Sequence, residues 1–291
     1  MKKSKNIIIR TIQSFSRRFF NDKIHSYILF ARCYKRFKRA INREKTSTKY
    51  SSKLDDINNH EYKISSQNNE DGIIEYIFDK IPHNKNFLEI GIGYYEFNTL
   101  YLVKKGWSGT LLERNKDECL VTKKLLSFFY PKSNVSIYEK NINRDNIQDI
   151  INETKKADVI DFFSLDIDSN DYWVLKNIDL TNINCVCLEY NHWIGNNVKK
   201  TIPYDENFQY VDNGFFGASL LAFHDLMIEK NFKLIAIESS GTNAFFIQNK
   251  YAHLFKVLDP IKSFKSIGRL YSENKKKEIF SKINNYNFTE I

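Results

Sequence analysis

FLEIGIGYYEFN, residues 87–98, begins as a buried strand and then meets two glycines one residue apart, Gly91 and Gly93. A glycine turn straight after an apolar run marks a ligand-binding strand end in a parallel sheet, because glycine admits positive φ and close backbone approach. The dinucleotide fingerprint asks for a third glycine three residues after Gly93. Glu96 stands there instead, behind Tyr94 and Tyr95. A pyrophosphate needs that close-packed glycine to reach the helix N-terminus, so the turn disfavours a nucleotide-cofactor oxidoreductase.

Outward from this turn, strands and helices alternate. GIIEYIFDKI before it and NTLYLVKKG after it have helical periodicity, the latter ending at Gly106. SGTLLER, NVSIYEKNI, DVIDFFSLDID and NCVCLEYN read as strands, with helical KDECLVTKKLLSFF, RDNIQDIINET and NDYWVLKNI between them. ASLLAFHDLMIEKN is a further helix. In FKLIAIESSGTNAFFIQN two apolar runs flank a turn, which is a hairpin pattern. The expected fold is α/β: a doubly wound, seven-stranded, mainly parallel Rossmann-like sheet that ends in a C-terminal antiparallel hairpin.

The chain has 291 residues, 42% hydrophobic and 15% aromatic, enough for one large domain with a sizeable core. We expect a basic amphipathic helical extension and linker over residues 1–65, the α/β domain over 66–255, and a Lys-rich helical or coil tail over 256–291. Residues 46–70 are polar and poor in large apolar side chains, which predicts a linker with at most frayed helix. Cys33, Cys119, Cys185 and Cys187 form no metal-ligand spacing. Cys185 and Cys187 share one face of a strand, and a buried structural role in a reducing cytoplasm is expected.

The net charge of +9 is concentrated at one end: residues 1–45 hold fourteen Lys and Arg against Asp22 and Glu44, leaving −3 on the other 246 residues. The apolar runs there are too short for a secretory signal or a membrane span. Ile8, Ile12, Phe15 and Phe19 recur at helical spacing among Arg17, Arg18 and Lys23. Two readings fit. One is peripheral docking on the anionic inner face of a membrane, where each nearby Lys or Arg adds about 1 kcal/mol. The other is a helical pair packed on its own domain with a solvated basic face. Nucleic acid is not expected as a partner, since no recognition motif is present.

Three acidic or amide groups fall in register at consecutive strand ends. Glu89 lies two residues before Gly91, Glu113 closes the second strand, and Asn141 follows the third. A carboxylate at the second position can accept both hydroxyls of a ribose, and an amide at the third can meet an adenine edge. With these residues FLEIGIG resembles the first motif of class I S-adenosylmethionine-dependent methyltransferases, with Tyr95 where that family often has a third glycine. The resemblance runs over about residues 70–250. SLDIDSNDYWVLKNI, CLEYN, TIPYD, GASLLAF and GTNAFFI are similar to a bacterial branch related to the FkbM-type group, whose members often modify sugars or polyketides. It implies S-adenosylmethionine as cofactor, held by Glu89, Gly91, Gly93, Glu113 and Asn141, and a small-molecule or glycan acceptor. A non-catalytic module that keeps the fold but has lost the chemistry is the alternative.

Past the fourth and fifth strands, SLDIDSND carries Asp166, Asp168 and Asp171, and LEYNHW carries Glu189, Asn191 and His192. So many carboxylates in one place need a cation, a donor or a shared proton. Asp166, Asp168, Glu189 and Asn191 offer hard oxygen ligands for Mg²⁺, an arrangement that resembles catechol O-methyltransferase. Without a metal, Asp166 or His192 is the candidate general base. In a structural role, Asp168 and Asp171 cap the following helix. The loop 192–217 is long and aromatic. Trp193, Tyr204, Tyr210 and Phe216 are placed there to stack on a sugar or to pack over the sheet, and Lys199 and Lys200 to meet an acidic group or water. His224 is expected to be structural.

Overall fold

The computed structural model of the protein describes residues 30, 31, 33–35, 37, 38, 42, 57–93, 97–266, 271–283 and 285–291. β1 (Asn86–Ile90), β2 (Ser108–Glu113), β3 (Val135–Glu139), β4 (Ile160–Leu165), β5 (Ile183–Glu189), β7 (Phe232–Ile237) and β8 (Asn243–Gln248) form one sheet in the order β3-β2-β1-β4-β5-β8-β7. Every neighbouring pair is parallel except those of β8, which runs antiparallel to β5 and β7. The expected α/β sheet and its terminal hairpin are both present.

Side-chain alternation along each strand sends one core to each face. Phe162 and Phe163 on β4 are both fully buried but belong to opposite clusters. Complete burial of such a ring contributes about 1.5–3 kcal/mol. One face carries α1 (Glu70–Lys80), α2 (Leu100–Lys104) and α3 (Lys116–Phe129); the other carries α4 (Ile147–Thr154), α5 (Asp171–Lys176) and α6 (Leu220–Glu229). Asn115 caps α3 by accepting from the amides of Asp117 and Glu118, and Ser219 caps α6 through Ala222 N. Cys185 and Cys187 point into the α1 face at 0% and 1% exposure, and burial drives both thiols up. They are core residues.

Residues 57–69 are not a linker. Tyr62 and Ile64 are buried with Tyr101, and the Asp71 carboxylate accepts the amides of Ile64, Ser65 and Ser66 at 2.6–3.0 Å. Gly72 makes the fit possible, since a Cβ there would lie 1.9 Å from His60 O. A polar segment thus folds because a helix carboxylate satisfies its backbone. The C-terminal segment is also packed. α8 (Glu273–Ile283) buries Ile279 and Ile283 against Trp193 and Phe216 of the long loop. Beyond it, β9 (Thr289–Glu290) pairs with β6 (Lys200–Thr201) within that loop.

Most of the basic extension, and with it the amphipathic helix expected from Ile8, Ile12, Phe15 and Phe19, lies outside the described residues. Where described, residues 30–38 are helical, and Phe37 is fully buried against the Phe129 ring of α3 at 5.4 Å. Among the described residues, no helix is long and apolar enough to cross a membrane.

Candidate functional site

Strand register assembles a polar tier at the carboxyl edge of the sheet. Ile90 pairs with Leu112 and with Leu165, and Leu165 with Leu188, so the next positions are Glu113, Gly91, Asp166 and Glu189 side by side. Glu189 pairs with Asn243, and Glu238 N donates to Asn243 O at 2.9 Å, which extends the tier to β7. At a strand spacing of about 4.8 Å, the three gaps from Glu113 to Glu189 cover about 14 Å. The tier crosses the β1/β4 boundary, where strand order reverses and ligands of such sheets bind.

The turn after β1 is built inward. Gly91 has φ +83°, and a Cβ there would come within 1.7 Å of Asp166 O. The glycine therefore serves the close packing of two strand ends, with Gly91 N bonded to Leu112 O and Asp166 N to Ile90 O, each at 3.0 Å. Gly93 is exposed beyond it. Tyr94, Tyr95 and Glu96 lie outside the described residues. Glu89, 2% exposed, directs both oxygens into the same loop. Oε1 accepts Asn98 N at 2.8 Å, and Oε2 accepts Thr99 N at 2.9 Å and Thr99 Oγ1 at 2.6 Å. Burial pushes its carboxyl up to about 7 against the pull of those three donors.

Glu113 faces the turn from β2. It accepts Ile92 N at 3.1 Å and Asn115 N at 2.7 Å, and burial raises its carboxyl despite them. The Arg114 amide also acts on it, so of the roughly four lone-pair sites on a carboxylate about one is left for a ligand. Asn141 is exposed past β3, its carbonyl accepting from Asn146 Nδ2 at 3.0 Å.

The carboxylates past β4 and β5 do converge: one ligand oxygen each of Asp166, Asp168 and Glu189 lie within 4.8 Å of one another. Burial, then the charges of Asp168 and Asp171, hold the Asp166 carboxyl well above the usual range, while its hydrogen bond with Glu189 opposes this. Two such groups in contact share a proton. Asp168 sits at φ +56°, a left-handed conformation that aspartate tolerates better than most side chains. Asp171 braces the preceding loop, accepting Ile167 N at 2.8 Å and Ser169 N at 2.9 Å. Asn170, the residue before α5, makes no side-chain cap bond, and the printed bonds of Asp171 go to the loop before the helix.

Two expected members stand apart. Asn191, fully buried, donates to Gly214 O and Phe216 O, both at 2.8 Å, and its carbonyl accepts Trp193 N at 2.9 Å. Its amide pins the aromatic loop, so the oxygen set for a metal contracts to three carboxylates. His192 is also outside that group; its ring lies 4.4 Å from that of Trp193 and 6.4 Å from that of Tyr271. Trp193 and Phe216, expected over a sugar or the sheet, bury themselves under α8. Lys199 pairs with Asp225 and Lys200 with Glu290, and His224 contacts Asp225 on α6.

Sequence reasoning missed the far end of the tier. Asn243 donates to Glu70 Oε1 at 2.8 Å, and Asn69 donates to Glu238 Oε1 at 3.0 Å. The N-terminus of α1 therefore closes this end. The Asn of GTNAFFI at a strand start, and the acids of NNEDG at a helix start, were the available signals.

No protein-family model matches the sequence, and neither does any curated protein. Solved structures similar to it include magnesium protoporphyrin IX methyltransferase (ChlM) from Synechocystis PCC 6803 with bound SAM, at 8% identity and a TM-score of 0.42, covering 81% of this chain and 96% of that one. The N-terminal domain of EvdMO1 with SAH bound gives 11% identity and a TM-score of 0.42, over 75% of this chain and 94% of that one. The bifunctional kinase-methyltransferase WbdD gives 14% identity and a TM-score of 0.37 over 56% of this chain, which spans only 34% of WbdD. All three likenesses are distant.

Proposed function

We propose that the chain is an S-adenosylmethionine-dependent methyltransferase that methylates a hydroxyl on a saccharide- or glycan-type acceptor. The observation that supports this most is the division of the tier by the Gly91 turn. Glu113 lies on one side with acceptor capacity to spare, and the Asp166–Glu189 pair lies on the other. The acceptor class follows the resemblance to the FkbM-related branch.

The fit to the cofactor rests on its chemistry. Glu113 is placed for a ribose hydroxyl, a charge-assisted bond contributing about 1.5–3 kcal/mol, and exposed Asn141 for the base. Glu89 acts through the loop, holding residues 98 and 99 so that the turn keeps its shape. When bound, S-adenosylmethionine supplies an electrophilic methyl group on a sulfonium. What remains for the protein is to orient the acceptor and take its proton, terms that dominate such displacements. The Asp166–Glu189 pair suits that task, because a carboxylate whose proton affinity burial raises above the ordinary range is a better base than an ordinary one. His192, among aromatic rings, is the second candidate.

A divalent cation is a second reading, favoured by the three oxygens of Asp166, Asp168 and Glu189 within 4.8 Å. It would lower the acceptor's pKa in place of a base. The test is methyl transfer from labelled S-adenosylmethionine to a saccharide panel, for the natural chain and Asp166→Asn. We expect at least 10²-fold slower transfer in the variant with cofactor binding kept. Equal transfer rates would remove Asp166 from catalysis. Binding without transfer by the natural chain to any acceptor would favour the non-catalytic module. Activity abolished by EDTA and restored by Mg²⁺ would favour the metal.

A further inference from the structure

A cavity of about 640 Å³ runs along the outer edge of β7, between α1 and the segment 253–265; its lining includes Ile237, next in sequence to Glu238, but none of the tier's own residues. Its size is that of a small-molecule site, which spans about 300–1,000 Å³. Lys80, Lys256, Lys262, Lys265 and His253 line it, and no carboxylate does. The nearest acid in sequence, Asp259, is turned onto the backbone of α7 (Pro260–Ser263), accepting the amides of Ile261 and Lys262 at 2.9 Å. Two of the cations are engaged: Lys265 Nζ donates to Ile237 O at 2.6 Å, and Lys80 Nζ lies 4.8 Å from the Tyr76 ring. Lys256 and Lys262 are exposed at the opening.

The rest of the lining is apolar. Leu254, Leu258, Phe255 and Phe264 supply the accessible apolar surface, while Ile235 and Ile237 border it at 1% and 0% exposure. The uncharged polar groups in the lining are Asn58, Ser263, the Tyr76 hydroxyl and the His253 ring, and Asn58 already gives its amide to Ile237 O at 2.8 Å and to Glu61. The wall is anchored, not loose. Leu258 N bonds to Leu234 O at 2.8 Å, Tyr190 donates its hydroxyl to Lys265 O, and Gly241 (φ +77°) packs against the same carbonyl. The preformed shape joins the exposed Lys256 and Lys262 to an apolar lining, with Asp259 near enough to Lys262 to feel its charge.

We infer that this groove binds an anionic amphiphile: a single phosphate-type head met by Lys256 and Lys262, on an apolar chain laid against Leu254, Phe255, Leu258 and Phe264. The inference is independent of the methyltransferase reading. It is tested by calorimetric titration of the full chain with dodecyl phosphate below its micelle concentration. Dodecyl maltoside serves as the uncharged chain, and inorganic phosphate and uridine diphosphate as heads without one. Saturable 1:1 binding of dodecyl phosphate is expected, at least tenfold tighter than any of the others. It should weaken at least tenfold in the double variant Lys256→Glu/Lys262→Glu. Both lysines are exposed, so the variant should keep its circular dichroism and melting temperature. No saturable binding, equal binding of the maltoside or of either head alone, or indifference to the double variant would each overturn the inference. S-adenosylhomocysteine titrated into the same samples reports separately on the tier.

Discussion

Glu89→Gln separates the two forces that set the proton affinity of this carboxyl. Three donors at 2.6–2.9 Å favour the ion, whereas burial at 2% exposure favours the acid. Donors alone can hold a carboxylate below 2; here burial prevails, and the group titrates at about 7 instead of 4.5. One pH unit corresponds to about 1.4 kcal/mol, so full ionisation costs the folded state roughly 3 kcal/mol relative to the unfolded chain. The sign follows from linkage. The folded protein holds this proton where the unfolded chain has released it, so the stabilisation is complete below about pH 4.5 and is lost as pH rises through 7. Glutamine mimics the protonated group and does not titrate. It leaves one buried amide, of Asn98 or Thr99, without an acceptor, a penalty of about 1–3 kcal/mol. Urea unfolding of both proteins should therefore show the variant about 1–3 kcal/mol less stable at pH 5. By pH 8.5 the gap should close or reverse, a relative change of roughly 3 kcal/mol. A stability difference that is the same at both pH values would refute the reasoning: the donors would then hold Glu89 near its ordinary value.

Gly91→Ala should lower stability by at least about 3 kcal/mol, because it combines positive φ with a Cβ 1.7 Å from Asp166 O; an unchanged urea midpoint would show that the two strand ends can part. Ile279→Ala, deleting a side chain 1% exposed between Trp193 and Phe216, should cost about 2–4 kcal/mol in the same assay. Protease nicking of the loop 192–217 should rise with it, and a loop as resistant as before would mean that α8 does not hold it.

What was legible in the sequence was what period and spacing encode. The runs around Leu88, Leu111, Phe163 and Val186 gave the parallel strands, and SSGTN gave the hairpin that reverses β8. Glu113, Asp166 and Glu189 could be placed because each ends a strand, where register alone makes neighbours. Asn191 could not, because whether an amide two residues past a strand faces the site or its own loop depends on carbonyls 23 and 25 residues away. Residues 57–69 failed for a related reason. Their polar composition resembles a linker, and the group that satisfies their amides, Asp71, belongs to the next helix. The burial of Trp193 under α8 likewise depends on a contact some 86 residues distant, between loop and C-terminal helix.

The central claim is that the tier binds an adenosine-bearing cofactor through Glu113. Calorimetric titration with S-adenosylhomocysteine, and with NAD as the control, tests it most directly on the natural chain and Glu113→Ala. The account predicts saturable 1:1 binding of S-adenosylhomocysteine and none of NAD. It also predicts a loss of at least about 10- to 100-fold in the variant, the worth of one charge-assisted bond. Binding of NAD in place of S-adenosylhomocysteine, or full affinity in Glu113→Ala, would contradict it.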